Sequence, residues 1–255
     1  MRVVVTDAEV TLADVLSLRL AIDQPLPAGT SLVLRHRASG VEREIRLGPL
    51  ETASLAVSLA PLGLTAGRWD AYLRHEDRRT RIKSVDPGFS LDHLDAYALC
   101  RRTLAYRSYR TRNGFLALKI DDASPAAEVR AVWFREGRFE VTGLLAYTGL
   151  DDDDARHEAN LALHRRQATI RTAATVQGIR FHAAVSLVDV VADEHGVWEP
   201  TLEVEGVPGA LRLSARLDDI DGKRRRVHYP AARVDGVPVR PSYTADDELR
   251  IEVGG

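Results

Sequence analysis

The chain states one pattern twice, in the same order and at long range. Leu32-Val-Leu-Arg-His-Arg37 returns as Leu161-Ala-Leu-His-Arg-Arg166, and Ala56-Val-Ser-Leu59 returns unchanged as Ala184-Val-Ser-Leu187. Gly67-Arg-Trp-Asp70 returns as Gly196-Val-Trp-Glu199. Tyr109-Arg-Thr111 followed by Leu116-Ala-Leu-Lys-Ile120 returns as Tyr243-Thr244 followed by Leu249-Arg-Ile-Glu-Val253. The offsets are 129, 128, 129 and 133 residues, so only short insertions separate the copies. A period this long is the duplication of a whole domain, not the stacking of a solenoid. It predicts two domains, residues 1–122 and 126–255, joined by a short linker at 121–125. Duplication of a small domain suits a binding or spacing module better than a single catalytic pocket.

Both copies read as short alternating strands separated by turn residues. In the first, residues 16–22, 31–37, 42–47, 54–59, 69–74, 79–85, 104–110 and 115–120 carry the pattern, with Asn113-Gly114 as the sharpest hairpin signal. In the second, residues 138–145, 160–165, 169–176, 179–187, 198–205, 210–216 and 249–253 repeat the plan, and Asp235-Gly236 turns another hairpin. Strands of this length and spacing predict an all-β chain of two tandem immunoglobulin-like β-sandwiches. Residues 91–102 and 152–163 are the two stretches that could be helical.

Composition supports two ordinary cores and excludes several classes of function. The 255 residues are 45% apolar, enough to bury two domains. Net charge is −2, divided as 18 basic against 15 acidic residues in 1–122 and 17 against 22 in 123–255. Neither half has the positive excess of a nucleic-acid binder. Cys100 is the single cysteine, so no intramolecular disulfide or cysteine metal site can form. No segment reaches membrane-spanning length, and acids at Asp7, Glu9 and Asp14 argue against a signal peptide; the cytoplasm is the expected compartment.

Chemistry-bearing motifs are sparse. The eight histidines form no His-x-His or His-Glu-x-x-His, and no Gly-x-Ser-x-Gly elbow or phosphate-binding glycine loop occurs. No catalytic residue, metal site or cofactor is therefore expected. Asp219-x-Asp221-Gly222 is similar to a calcium loop but lacks its later glutamate, and a charged hairpin tip explains it better. The four acids 151–154 read as a solvated helix start. Trp69 and Trp198, each after a glycine (Gly67, Gly196) and before an acid, are either structural aromatics seating a strand or a duplicated sugar platform. Asp70 and Glu199 sit in different copies at matching places and do not make a catalytic pair.

One stretch combines charge with rings. Arg101, Arg102, Arg107, Arg110 and Arg112 fall within twelve residues without an acid, interleaved with Tyr106 and Tyr109. Strand alternation puts Tyr106 with Arg110 on one face and Arg107 with Tyr109 on the other. Guanidinium groups bind phosphate bidentately and rings add flat contact surface, so these seven residues are the candidate ligand site. A solvated or covered strand is the alternative.

Each copy closes on Gly-x-Trp-Asp/Glu, then a hairpin ending on Tyr-x-Thr or Tyr-Thr and an alternating Leu-x-Leu/Ile-x-Ile/Val strand. In these motifs the chain resembles the non-catalytic β-domains that accompany glycosyltransferases and CDP-glycerol glycerophosphotransferases of teichoic-acid-type wall polymer synthesis in high-GC Gram-positive bacteria. The βαβ unit that a nucleotide-sugar transferase needs is missing. The resemblance implies a non-catalytic accessory protein that binds such a transferase or its anionic glycan or polyol-phosphate product. Two rivals stand beside it: a carbohydrate-binding module using Trp69 and Trp198, and a small hydrolase or transferase with a cryptic inter-domain site.

Overall fold

The computed structural model describes residues 3–11, 13–47, 54–86, 103–192, 195–217 and 222–254. The expected helix at 91–102 lies outside them. The described residues form an all-β protein in two compact units, one built from residues before 87 together with 103–123, the other from 124 onward.

The first unit contains β1 (Val3–Val10), β2 (Val15–Ile22), β3 (Ser31–His36), β4 (Glu42–Arg46), β5 (Ser54–Ser58), β6 (Gly67–His75), β7 (Arg78–Arg81), β8 (Lys83–Ser84), β9 (Leu104–Arg110) and β10 (Leu116–Asp122). They make two sheets, ordered β5-β2-β1-β8 and β4-β3-β6-β10-β9, with β7 pairing the far half of β6. The period-two alternation of each strand turns one side inward. Leu16, Leu18 and Leu20 of β2 thus share a core with Leu32 and Leu34 of β3, Trp69, Ala71 and Leu73 of β6, and Leu116, Leu118 and Ile120 of β10. Burying each large apolar side chain is worth about 1.5–3 kcal/mol, and this shared core holds the two sheets face to face.

The second unit contains β11 (Ala126–Arg135), β12 (Arg138–Ala146), β13 (Arg156–Arg165), β14 (Ala168–Gln177), β15 (Arg180–Ser186), the short helix α1 (Leu187–Val191), β16 (Gly196–Val204), β17 (Leu211–Ser214), β18 (Ala232–Val234), β19 (Val237–Tyr243) and β20 (Leu249–Val253). Six antiparallel pairings of the first unit recur in it. β1–β2, β2–β5, β3–β4, β3–β6, β6–β10 and β9–β10 return as β11–β12, β12–β15, β13–β14, β13–β16, β16–β20 and β19–β20. The parallel contact of β1 with β8 returns as β11 with β17. The first strand of each unit has a register shift at the same place, between Val5 and Asp7 and between Val129 and Ala131.

One pairing is new in the second unit. β14 continues past the length of β4 and pairs β15 from Ala174↔Ala183 to Gln177↔Arg180. That closes a ring of seven strands, β13-β14-β15-β12-β11-β17-β16 and back to β13, from which β20, β19 and β18 extend. Two open sheets were expected there, and a closed ring is found. The reason is strand length: β14 has ten residues and β4 has five.

Residues 152–163, which could be helical, instead form a turn and, from Arg156, the strand β13, which contains the strand expected at 160–165. Asp153 Oδ1 accepts the Ala155 N–H at 2.9 Å, a local turn that leads directly into β13. β13 pairs on both edges, with β14 and β16, and Leu161, Ala162 and Leu163 are all buried. Alternation holds in its first half, with Glu158 and Asn160 exposed and Ala159 and Leu161 buried; the helix-like reading comes from the run of acids before it.

Candidate functional site: an arginine-rich sheet face

The repeated Gly-x-Trp signature is structural in both copies. Trp69 and Trp198 are 1% and 2% exposed, and their indole N–H groups donate to Thr65 O at 2.9 Å and Val190 O at 3.0 Å. Each therefore satisfies its polar edge inside the protein. Trp69 lies opposite Leu118, and Trp198 opposite Ile251. The sugar-platform alternative is corrected here, because neither indole face is open to a ligand.

The glycines two residues earlier have a specific task. Gly67 has φ +128° and Gly196 φ +149°, and an added Cβ would overlap His36 Nε2 in one and stand 2.8 Å from Arg165 Cδ in the other. His36 and Arg165 fill the missing Cβ's space and pack on the tryptophans, His36 at 5.0 Å between ring centroids and Arg165 with its guanidinium 4.6 Å over the ring.

Strand alternation fixes what lies on the other side of the first unit's larger sheet. With Trp69, Ala71 and Leu73 turned inward, Asp70, Tyr72 and Arg74 of β6 face out. Register carries the row across the sheet, since Asp70 pairs Arg35 of β3 and Ala117 of β10, which pairs Tyr109 of β9. Asp70 accepts Arg37 Nη2 at 2.7 Å and Arg81 Nη2 at 2.5 Å. That hydrogen bond from Asp70 raises the Arg37 pKa further above its ordinary value, against the pull of burial. Glu42 holds Arg74 at 2.7 Å and Arg79, with Arg35 at 3.7 Å, and Arg74 also donates to Glu44 at 2.6 Å. The guanidinium groups of Arg79 and Arg81 stack on Tyr72 and Phe115, each at 4.6 Å.

The seven predicted site residues are divided by this geometry. Arg101 and Arg102 lie outside the described residues. Tyr106 is part of the core. Arg107 is buried on the outward face, where Nη2 donates to Asp121 at 3.0 Å, with Lys119 Nζ at 3.6 Å from the same carboxylate. Tyr109 shares that face, its hydroxyl buried without a hydrogen bond, as are the Nε atoms of Arg81 and Arg107. Arg110 and Arg112 are exposed towards the β9–β10 hairpin and do not join the cluster. The residues sequence reasoning missed are Arg35, Arg37, Arg74, Arg79 and Arg81. Alternation within each strand marks them as outward; nothing in the sequence marks their strands as neighbours.

Among the described residues, Arg35, Arg37, Arg74, Arg79, Arg81, Arg107 and Lys119 face four carboxylates, Glu42, Glu44, Asp70 and Asp121, an excess of three positive charges in this set. The second copy does not keep this excess. Register places Glu203 where the first unit has Arg74, Arg171 where it has Glu44, and Glu252 where it has Lys119. The Arg74–Glu44 bridge at 2.6 Å thus returns with its signs exchanged, as Glu203–Arg171 at 3.0 Å. The fold accepts either polarity here, so the positive excess is a property of the first copy and not a requirement of its architecture.

Among the described residues no group of three or more His, Cys, Asp or Glu side chains could hold a metal ion, and no helix is long and apolar enough to cross a membrane. Asp151–Asp154 are exposed, and residues 218–221, with the calcium-loop aspartates, lie outside the described residues.

No family model matches the chain, and no curated protein matches it. Among solved structures, S. aureus TarS residues 217–571 is similar to it with 10% identity and a TM-score of 0.39, over 76% of this chain and 59% of that one. S. aureus TarS is similar at 10% identity and a TM-score of 0.38, over 71% of this chain and 34% of that one. A two-domain fibronectin type-III segment of chicken tenascin is similar at 12% identity and a TM-score of 0.22, over 81% of this chain and 94% of that one. The chain thus spans less than two thirds of the TarS fragment.

Proposed function

We propose that this chain is a non-catalytic binding protein whose first unit takes an anionic polymer on its arginine face. The two units are read as tandem copies of one immunoglobulin-like domain, residues 1–122 and 126–255, the second closed by its extra strand pairing. The observation that carries the reading is the positive excess on one copy's sheet face, which the other does not keep, since Glu203 and Glu252 stand where the first has Arg74 and Lys119. Fixed guanidinium groups offer paired donors to phosphate oxygens, and Tyr72 adds a flat surface. The buried donors of Arg81, Arg107 and Tyr109 that lack an acceptor support the same reading, since buried donors ordinarily have one. The sequence motifs shared with wall-polymer transferase accessory domains suggest a glycan or polyol-phosphate product as the polymer, with the transferase nearby in the cytoplasm.

The experiment is a titration with polyglycerol phosphate at low and moderate salt. The wild-type chain should bind, and affinity should fall steeply with salt because exposed charges are screened over about 8–10 Å at physiological ionic strength. Arg37→Ala/Arg74→Ala/Arg79→Ala should weaken binding about tenfold or more, while Arg171→Ala on the second copy should not. Equal affinity for all three proteins, or binding indifferent to salt, would sink the proposal.

A further inference from the structure

A groove of about 690 Å³ opens in the second unit, between the β13–β14 turn and the residues leading into β16. None of the arginine-face residues of the first unit lines it. Its lining includes the guanidinium groups of Arg165 and Arg166, the His195 imidazole, the Gln167 amide, and the apolar side of Val197. From this geometry we infer that the groove is a binding site for a small phosphorylated sugar or polyol, with the phosphate received by Arg166 and His195.

Arg165 is committed elsewhere. Its guanidinium lies on Trp198 and its Nη1 donates to the His195 carbonyl at 3.1 Å, so it forms the floor. Arg166 is available. In the first unit its counterpart Arg37 is paired with Asp70 at 2.7 Å. The counterpart of that acid, Glu199, instead stands 3.8 Å from Arg212 with its side chain 62% exposed. Among the described residues Arg166 therefore has no counterpart of that ion pair. It sits at φ +49°, in the turn that also presents Gln167.

The remaining lining decides the rest of the ligand. A groove of this volume falls in the range of small-molecule sites, about 300–1,000 Å³. Gln167 offers both a donor and acceptor for hydroxyl groups, and Val197, 41% exposed, offers an apolar wall for the carbon face of a sugar ring. Gly196 keeps the floor low, because a Cβ there would meet Arg165. A phosphate alone would leave Gln167 and Val197 unused, and a neutral sugar would leave Arg166 unpaired.

The test uses the full chain and backbone-amide chemical shifts, with glucose 1-phosphate, inorganic phosphate and glucose as probes. Glucose 1-phosphate should shift the amides of Gln167, Gly196 and Val197 with a dissociation constant of about 0.1–1 mM, the range that a few charge-assisted contacts supply. Inorganic phosphate should bind about tenfold more weakly, and glucose not measurably. Arg166→Asn keeps a residue that tolerates the left-handed turn and should reduce glucose 1-phosphate affinity about tenfold or more. His195→Gln should reduce it in the same direction, with the spectrum of the free protein unchanged outside the groove. Unchanged affinity in Arg166→Asn, equal binding of glucose, inorganic phosphate as tight as the sugar phosphate, or no shifts at all would each overturn the assignment. None of these outcomes bears on polymer binding by the first unit.

Discussion

His36 and Arg165 occupy the same place in the two copies and do the same work with different chemistry. Each fills the space that a glycine leaves, each packs on the buried tryptophan, and each bonds to the carbonyl of the residue before that glycine. His36 Nε2 lies 3.2 Å from Ala66 O, and Arg165 Nη1 donates to His195 O at 3.1 Å. His36 Nδ1 accepts the Ser39 N–H at 3.1 Å, so Nε2 is assigned the proton and donates to Ala66. A planar polar group under the glycine is what the two solutions share.

The glycines should therefore be intolerant, to different degrees. Gly67→Ala drives a Cβ into the rigid His36 ring and should cost about 2–4 kcal/mol, whereas Gly196→Ala meets the flexible Arg165 stem and should cost about 1–2 kcal/mol. Urea unfolding of the two variants measures the difference. His36→Ala should recover much of the loss in Gly67→Ala, and a strictly additive double variant would refute the steric account.

Trp69→Ala and Trp198→Ala should each destabilise by about 3–5 kcal/mol, since both rings are buried with their N–H groups bonded. Chemical denaturation followed by circular dichroism reads this directly. A loss under 1 kcal/mol, as surface substitutions give, would mean that the rings do not belong to the cores.

Asp70 binds its two arginines from a side chain 11% exposed. Arg37→Ala/Arg81→Ala leaves that carboxylate without either partner and should cost about 1–3 kcal/mol. Adding Asp70→Asn should restore most of it, because the neutral amide needs no counter-charge. The midpoint of urea unfolding across the three variants is the measurement.

Acid should destabilise the second unit through two carboxylates. Burial alone would raise the pKa of Glu140, yet hydrogen bonds from Arg135, Trp133 and His182 outweigh it and hold the value below the usual 4.5. Glu252 is likewise lowered, with bonds from Arg240 and Ser242 and the charge of Arg250 overcoming burial. A carboxylate with a depressed folded-state pKa contributes stability that is complete above its unfolded value and lost as pH falls through the folded one. Melting temperature should therefore drop as pH falls from 4.5, and Glu140→Gln and Glu252→Gln should each flatten that drop while lowering stability at neutral pH. An unchanged acid slope in both variants would contradict the assignment.

The repeat itself was legible because each copy must seat the same ring beside the same glycine, and those demands keep Gly-x-Trp and the apolar alternation of the closing strand. Alternation likewise marked most strands, since one side of each must be apolar to reach a core. At β13 it marked 160–165 but not the start of the strand, where the four acids 151–154 lead in and read as a helix start. Ring closure was equally hidden, because it depends on how far β14 runs beside β15. The arginine face shows the same division. Tyr109 and Arg107 were visible as a local cluster, and alternation placed them on one side of β9. Asp70 of β6, Arg81 of β7 and Arg37 just past β3 are apart in the chain, and only the pairing of β3 and β7 with β6 brings them to one surface. Local periodicity is a property of each strand's own residues; a shared surface is a property of which strands bond edge to edge, and that choice is made by hydrogen-bond register and core packing over the whole domain.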